Sequence, residues 1–154
     1  MIPRIGHRNR QQGTALVETV LCLPVLLFLM LAAGEVTNVF LQHNTLAKAV
    51  RDGARHAASE AITNAKVFNL SPEVISDTKS LVVYGVTTGT GTSILPNLTP
   101  DDVTVRDLGS EHLEVSVAYA YSGIIGSVLP AFGFGADKSL GFNLQASVRM
   151  RGLD

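Results

Sequence analysis

A short basic leader that ends in glycine runs straight into an apolar stretch carrying a single acid, and this junction limits what the chain can become. Arg4, Arg8 and Arg10 precede Gln11-Gln12-Gly13, and Thr14-Ala15-Leu16-Val17-Glu18 then opens an apolar run that continues to Ala33. As a helix, the 20 residues from Thr14 to Ala33 rise about 1.5 Å each and span about 30 Å, the hydrocarbon thickness of a bilayer. One crossing fits, and no other stretch is long enough for a second. The arginine excess on the leader side implies a cytoplasmic N-terminus. A carboxylate inside a segment suited to lipid costs on the order of a few kcal/mol, so Glu18 requires a functional reason.

Composition narrows the classes. Hydrophobic residues make up 46% of the 154 and charged residues only 16%, which is apolar for a soluble domain of this size. Setting aside the three leader arginines, nine Lys and Arg face 13 Asp and Glu, a net charge of about −4. An acidic body argues against a nucleic-acid partner, which selects clustered positive charge. Cys22 is the sole cysteine, so an intrachain disulfide and a thiolate metal cluster are both excluded, and in its apolar setting it reads as a packing residue. His7, His43, His56 and His112 lie far apart without a metal-ligand spacing. Gly89-Thr90-Gly91 lacks the lysine and the strand-to-helix turn of a phosphate cradle and reads as a turn. Asp101-Asp102 reads as a solvated pair at a strand entry, and Asn69-Leu70-Ser71 and Asn97-Leu98-Thr99 fit the common glycosylation triplet. No cofactor, metal or catalytic constellation is expected, so the chain reads as a non-enzyme.

Beyond the apolar run the pattern stays helical. Val36, Val39, Phe40, Ala47, Val50, Ala54, Ala57, Ala61 and Ala65 recur mostly at helical spacings, while Lys48, Arg51, Asp52, Arg55 and Glu60 fall off that stripe. The stripe is rich in small residues, which let two helices approach closely. The helix is expected to end near Phe68, before the turn signals of Asn69-Leu70-Ser71-Pro72. One helix from Thr14 to Phe68 would reach about 80 Å, so a kink or break is expected, at Pro24 or at Gly53. The remainder reads as β-structure: a β-branched run Leu81-Val82-Val83-Tyr84, a second starting at Val103-Thr104-Val105, and two strictly alternating segments, Leu113–Tyr121 and Phe142–Arg151. Gly109-Ser110-Glu111-His112 fits a hairpin loop. Gly85–Thr99 reads as an exposed, mobile loop. Ser122–Ser139 is apolar but without period, and reads as a cover for an open sheet edge or as a contact surface for a partner subunit or membrane. The fold class is therefore α+β: a long N-terminal helix packed on an antiparallel sheet of three to four strands.

Gly13 with an acid five residues on, bases before it and an apolar helix after it resembles the type IV prepilin cleavage motif. More specifically, Ala15-Leu16-Val17-Glu18, Leu23-Pro24-Val25-Leu26, Asp52-Gly53-Ala54-Arg55-His56-Ala57-Ala58, Val83-Tyr84-Gly85 and Ala146-Ser147-Val148-Arg149-Met150-Arg151 resemble TadE-like minor pilins, or pseudopilins, of the tight-adherence (Tad or Flp) pilus. The resemblance covers nearly the whole chain and is strongest over residues 10–60. It implies cleavage between Gly13 and Thr14 by a membrane aspartyl peptidase. It also implies pairing of Glu18 with the new amine of Thr14 on another subunit, and membership of a fibre that reaches the cell surface and serves adhesion and biofilm formation. Thr14 departs from the aromatic first mature residue of many type IV pilins, and Thr19 stands where major Flp pilins carry tyrosine. The added sheet favours a minor subunit.

The resulting expectation is a cleaved leader (1–13), a transmembrane and assembly helix (14–35) kinked at Pro24, an amphipathic continuation (36–68) and an extracytoplasmic β-rich part (69–154). Its expected partners are prepilin peptidase, other Tad or Flp pilins, the inner membrane and the assembly machinery. The competing reading is a secreted or periplasmic binding module with a conventional signal peptide cleaved near Ala33 or Gly34. A small membrane-anchored hydrolase is disfavoured by the lack of a nucleophile–base pair.

Overall fold

The structure is a computed structural model that describes residues 9–62, 68–123, 128–129, 138–139 and 141–152. The chain divides into two compact units, Met1–Thr37 and Asn38–Asp154. A single helix, α1 (Asn9–Glu60), supplies the described part of the first unit and the opening element of the second. It is followed by α2 (Pro72–Tyr84), a 3-10 turn (Pro100–Asp102), and strands β1 (Val103–Gly109), β2 (His112–Ala120), β3 (Val128–Leu129), β4 (Lys138–Ser139) and β5 (Asn143–Arg151). Helix, sheet and their order establish the α+β class.

In the first unit the apolar residues from Leu16 to Leu31 are exposed around the whole helix, up to 72% at Met30. The helix is long and apolar enough to cross a membrane. A helix suits that setting because its backbone polar groups are satisfied within the segment. Side-chain hydroxyls follow suit: Thr19 Oγ1 donates to the Ala15 carbonyl at 2.8 Å and Thr37 Oγ1 to that of Ala33 at 2.9 Å. Of the kink or break expected in α1, a break is not seen: the helix is one element through both Pro24 and Gly53. At Pro24 the ring removes one backbone donor and leaves the Val20 carbonyl without its usual partner.

In the second unit the buried face of α1 comprises Gln42, Leu46, Ala49, Val50, Gly53, Ala54, Ala57 and Ala58, and Ala61 just past its end is buried too. This is broader than the stripe expected from spacing, and Phe40, placed on that stripe, is exposed instead. Lys48, Arg51, Asp52, Arg55 and Glu60 face solvent as their spacing predicts. The helix also ends earlier than expected, at Glu60 and not near Phe68. The Ala61 carbonyl accepts from Asn69 N–H at 2.7 Å, and Ile62 and Phe68 form an antiparallel bridge, so tertiary partners replace the next helical bonds. Ala65 lies outside the described residues.

The largest correction is α2. Leu81-Val82-Val83-Tyr84, read above as a strand, is its last turn. Ser71 caps the helix, accepting from Val74 N–H at 3.3 Å, Pro72 occupies its first turn and Glu73 complements its N-terminal dipole. Gly85, at φ 74°, closes it in the left-handed conformation that glycine adopts without cost, its N–H reaching the Leu81 carbonyl at 2.9 Å. Asn69–Pro72 thus marks a helix start, not simply a turn.

α1 and α2 meet at Gly53. A Cβ added there would fall inside van der Waals contact with the Val82 Cγ2 methyl and would lie 3.5 Å from Thr78 Cγ2. Gly53 is a packing residue, and the small stripe serves a helix of its own domain as well as the sheet. The three-stranded sheet has the order β1-β2-β5, all antiparallel, with β2 central. Leu113, Val115, Val117 and Tyr119 of β2 are buried and alternate with exposed or half-exposed neighbours, and Leu144 opens the same inward face on β5. The β1–β2 hairpin turns at Ser110 and Glu111, whose φ values of 53° and 62° suit a tight two-residue loop matched to strand twist. β3 and β4 form a separate short pair. The rest of the apolar 124–140 segment lies outside the described residues.

The Gly85–Thr99 loop is exposed over its first half and anchored in its second. Leu95 and Leu98 enter the core, the Ile94 N–H bonds the Val83 carbonyl at 2.8 Å, and Tyr119 Oη donates to the Pro96 carbonyl at 2.9 Å. Thr99 donates to the Asp102 carboxylate through both its N–H and hydroxyl, at 2.9 Å each. Asp102 is therefore a capping acid where a solvated pair was expected.

Two outcomes follow for the full chain in detergent. Gly53→Ala gains about 1 kcal/mol of helix propensity but overpacks a stiff valine methyl at about 1–3 kcal/mol; denaturant unfolding should show net destabilisation, with Lys48→Gln neutral. An unchanged midpoint for Gly53→Ala would mean that α2 yields without cost. Burial raises the Tyr119 phenol above its ordinary value of 10.0, so the neutral form is favoured in the fold. The associated stability is present below pH 10 and is lost as pH rises through the folded value. Tyr119→Phe should cost about 1 kcal/mol at neutral pH through the lost hydrogen bond and should flatten the alkaline fall in stability. An equally steep fall in the variant would assign it to other groups.

Candidate functional site

The candidate site is the start of the apolar part of α1. Gly13, Thr14 and Glu18 all lie within helical structure and are exposed. Thr14 and Glu18 stand four residues apart, one turn and about 6 Å along the axis, on the same side as Val17 and Leu21. Thr14 and Glu18, the sequence-predicted assembly pair, are thus neighbours on one helix face, with Gly13 next to Thr14 in the chain. Pro24, the expected kink, lies further along the same helix.

Among the described residues no hydrogen bond or ion pair reaches the Glu18 carboxylate, whose surroundings are exposed apolar side chains. Gly13 is equally unexplained by the described residues. No atom lies within 4 Å of a Cβ built on it, and its φ is not in the left-handed region. A helix-interior glycine costs about 1 kcal/mol relative to alanine, and here neither packing nor backbone conformation requires it. Gly34 shares that freedom, whereas Gly53 and Gly85 do not.

Other candidates disperse. Among the described residues no group of three or more His, Cys, Asp or Glu could hold a metal. Cys22 is exposed on the apolar half of α1. His43 is exposed, His56 is half-buried on α1, and His112 places Nδ1 2.7 Å from the Ser110 carbonyl. His7 lies outside the described residues.

One polar cluster was not anticipated. Asn38 Nδ2 donates to Tyr121 Oη at 3.0 Å, Gln42 Nε2 donates to the Ser122 carbonyl at 2.9 Å, and Tyr121 stacks on Phe142 at 4.9 Å between ring centroids. The signal in sequence was the pair Asn38 and Gln42, uncharged amides one turn apart on an otherwise apolar stripe.

The family model described as TadE-like protein matches residues 13–55. Over that region the chain is similar to TadE-like proteins. The match begins at the junction glycine and ends just past Gly53, so it takes in the exposed apolar half of α1, with Glu18, and much of the face buried in the second unit. Within that segment lies most of the helix that is long and apolar enough to cross a membrane. The resemblance noted at Val83-Tyr84-Gly85 and at Ala146–Arg151 falls outside the matched segment. No curated protein and no solved structure matches the chain.

The open surroundings of Gly13 allow a clean test. Gly13→Leu should leave helix content unchanged, because no described neighbour is displaced, and, on the cleavage expected from the sequence, should abolish maturation in the native cell. Immunoblotting against a marker of the uncut form reads the outcome, and a variant that matures to the wild-type mass would remove Gly13 from the cleavage site.

Proposed function

We propose that the chain is a minor pilin, or pseudopilin, of a Tad pilus. It is made as a single-pass precursor in the bacterial inner membrane with its N-terminus in the cytoplasm and its C-terminus in the periplasm. Prepilin peptidase cuts after Gly13, and the mature subunit, beginning at Thr14, joins other Tad or Flp pilins through the pilus assembly machinery and contributes to a fibre used in surface adhesion.

The observation that carries this reading is the exposed Glu18 carboxylate, without a partner among the described residues, in a stretch of helix rich in exposed apolar side chains. Cleavage after Gly13 creates an ammonium group at Thr14, so each mature subunit presents one anion and one cation a helical turn apart. Within one helix they are neighbours; between subunits, the acid of one meets the amine of another and fixes the axial register. In a lipid-like interior, leaving one partner of such a pair alone costs about 3–5 kcal/mol, far more than an exposed salt bridge contributes. The match to the TadE-like family over residues 13–55 supports the same assignment.

N-terminal sequencing of the mature protein tests the cleavage: Thr14 as first residue supports the reading, and Glu35 would support the signal-peptide alternative. Glu18→Val tests the pairing. The variant should still enter the membrane, more favourably than wild type by the cost of one intramembrane acid, about 2.5–3.5 kcal/mol at mid-membrane and less near an interface. Its recovery in sheared surface fibres should be lost. Wild-type recovery would refute the Glu18–Thr14 pairing while leaving the cleavage assignment standing.

A further inference from the structure

We propose that the outer edge of β5 is a docking site for an extended strand of a different protein, one that alternates apolar with polar residues and carries an acid opposite Arg149. The proposal stands on the second unit alone and goes beyond the pilin reading, which names no contact outside the start of α1.

The backbone makes the first argument. β5 pairs with β2 over its whole length of nine residues, from Asn143 opposite Ala120 to Arg151 opposite His112, without a bulge or a proline. It ends the sheet, whose order is β1-β2-β5, and β3 and β4 pair with each other instead of with β5. Along Asn143–Met150 the ladder to β2 supplies the only backbone hydrogen bonds among the described residues. An antiparallel ladder to one neighbour uses the N–H and C=O groups of alternate residues, so about half of those on β5 point outward. A long, straight edge of this kind is a template for another chain, and natural sheets blunt such edges with bulges, prolines or a cover. β1, at the opposite side of the sheet, is blunted in this way: its register shifts between Asp107 and Gly109, and α2 lies beside it. β5 has neither the bulge nor a proline.

The side chains make the second. Leu113, Val115 and Val117 of β2 are buried, but the residues beside them in the ladder and on the same face, Met150, Val148 and Ala146, are only half-buried. The core is therefore open along its β5 flank. An added strand with apolar residues on that face would cover them while supplying the missing backbone partners, the usual mode of strand addition. On the other face Arg149 donates only its Nε–H to Glu114 Oε1, at 2.9 Å, and its remaining donors meet no partner among the described residues. An acid on the added strand would take them. Charge also selects a different protein over a second copy. β5 carries two arginines and no acid, so another β5 has nothing to offer Arg149, and the β1 of another copy would bring Arg106 to the same face.

The test uses the full chain in detergent and fluorescently labelled peptides of the length of β5, in which valine alternates with threonine and glutamate. Such a peptide should bind saturably by fluorescence anisotropy and should slow hydrogen exchange at the backbone amides of β5, with those of β1 unchanged. A fully N-methylated version, which keeps the side chains but has no backbone donors, should not bind. Lysine in place of glutamate should weaken binding about two- to fivefold. Arg149→Gln, a change at an exposed side chain, should abolish that preference and leave the rest of the affinity in place. Absence of saturable binding overturns the proposal, as does equal binding of the N-methylated peptide or protection at β1 in place of β5. A glutamate preference unchanged in Arg149→Gln removes the charge argument and with it the stated partner chemistry. If the chain alone sediments as a dimer with its β5 amides already protected, the edge belongs to a second copy and the proposal fails. None of these outcomes touches cleavage after Gly13 or the role of Glu18, which the maturation and fibre assays read separately.

Discussion

A helix closes its own backbone hydrogen bonds, and this property allows one element to serve two solvents. Over its first half α1 carries apolar side chains on every side without a core to receive them. Over its second half it presents Leu46, Val50 and a run of small residues to a packed interior. A strand could not make the first half viable, because its backbone groups would need a neighbour within the bilayer. The rest of the chain can be understood as what the second half of α1 requires: a sheet and a short helix to cover a face of alanines, with Gly53 as the point of closest approach.

That face is economical in side-chain volume. Ala54, Ala57, Ala58 and Ala61 are fully buried, and the bulk of the core comes from what faces them: Val82 and Val83 on α2, and Leu113, Val115 and Tyr119 on the central strand. Tyr119 adds a directional constraint, since its hydroxyl holds the Pro96 carbonyl and with it the loop that delivers Leu95 and Leu98 to the core. The TadE-like segment contributes to both halves of this arrangement, the exposed apolar surface around Glu18 and much of the buried face. In the proposed pilin, assembly would use the first and leave the second intact.

The site and the fold explain their glycines differently. Gly53 and Gly85 are accounted for inside the chain, by a valine methyl and by a left-handed cap. Among the described residues Gly13 has no such account, and Glu18 likewise meets no partner. In the proposed function a peptidase accounts for the first and a neighbouring subunit for the second.

The sequence by itself determined the apolar helix, its lone acid and junction glycine, the solvent face of the amphipathic half, the β1–β2 hairpin and the alternation of β2 and β5, because each rests on local charge or on a period fixed by backbone geometry. It misplaced Leu81–Tyr84, where β-branched residues favoured a strand although Ser71, Pro72 and Glu73 form a sound helix start; burial against Gly53 outweighs that intrinsic preference. It also missed Gln42 and Leu46 on the buried face, the cluster of Asn38, Tyr121 and Phe142, and the anchoring of Leu95 and Leu98. These depend on contacts between residues far apart in the chain. Spacing shows which residues share a face, but only the tertiary structure decides what that face meets and where tertiary bonds end the helix.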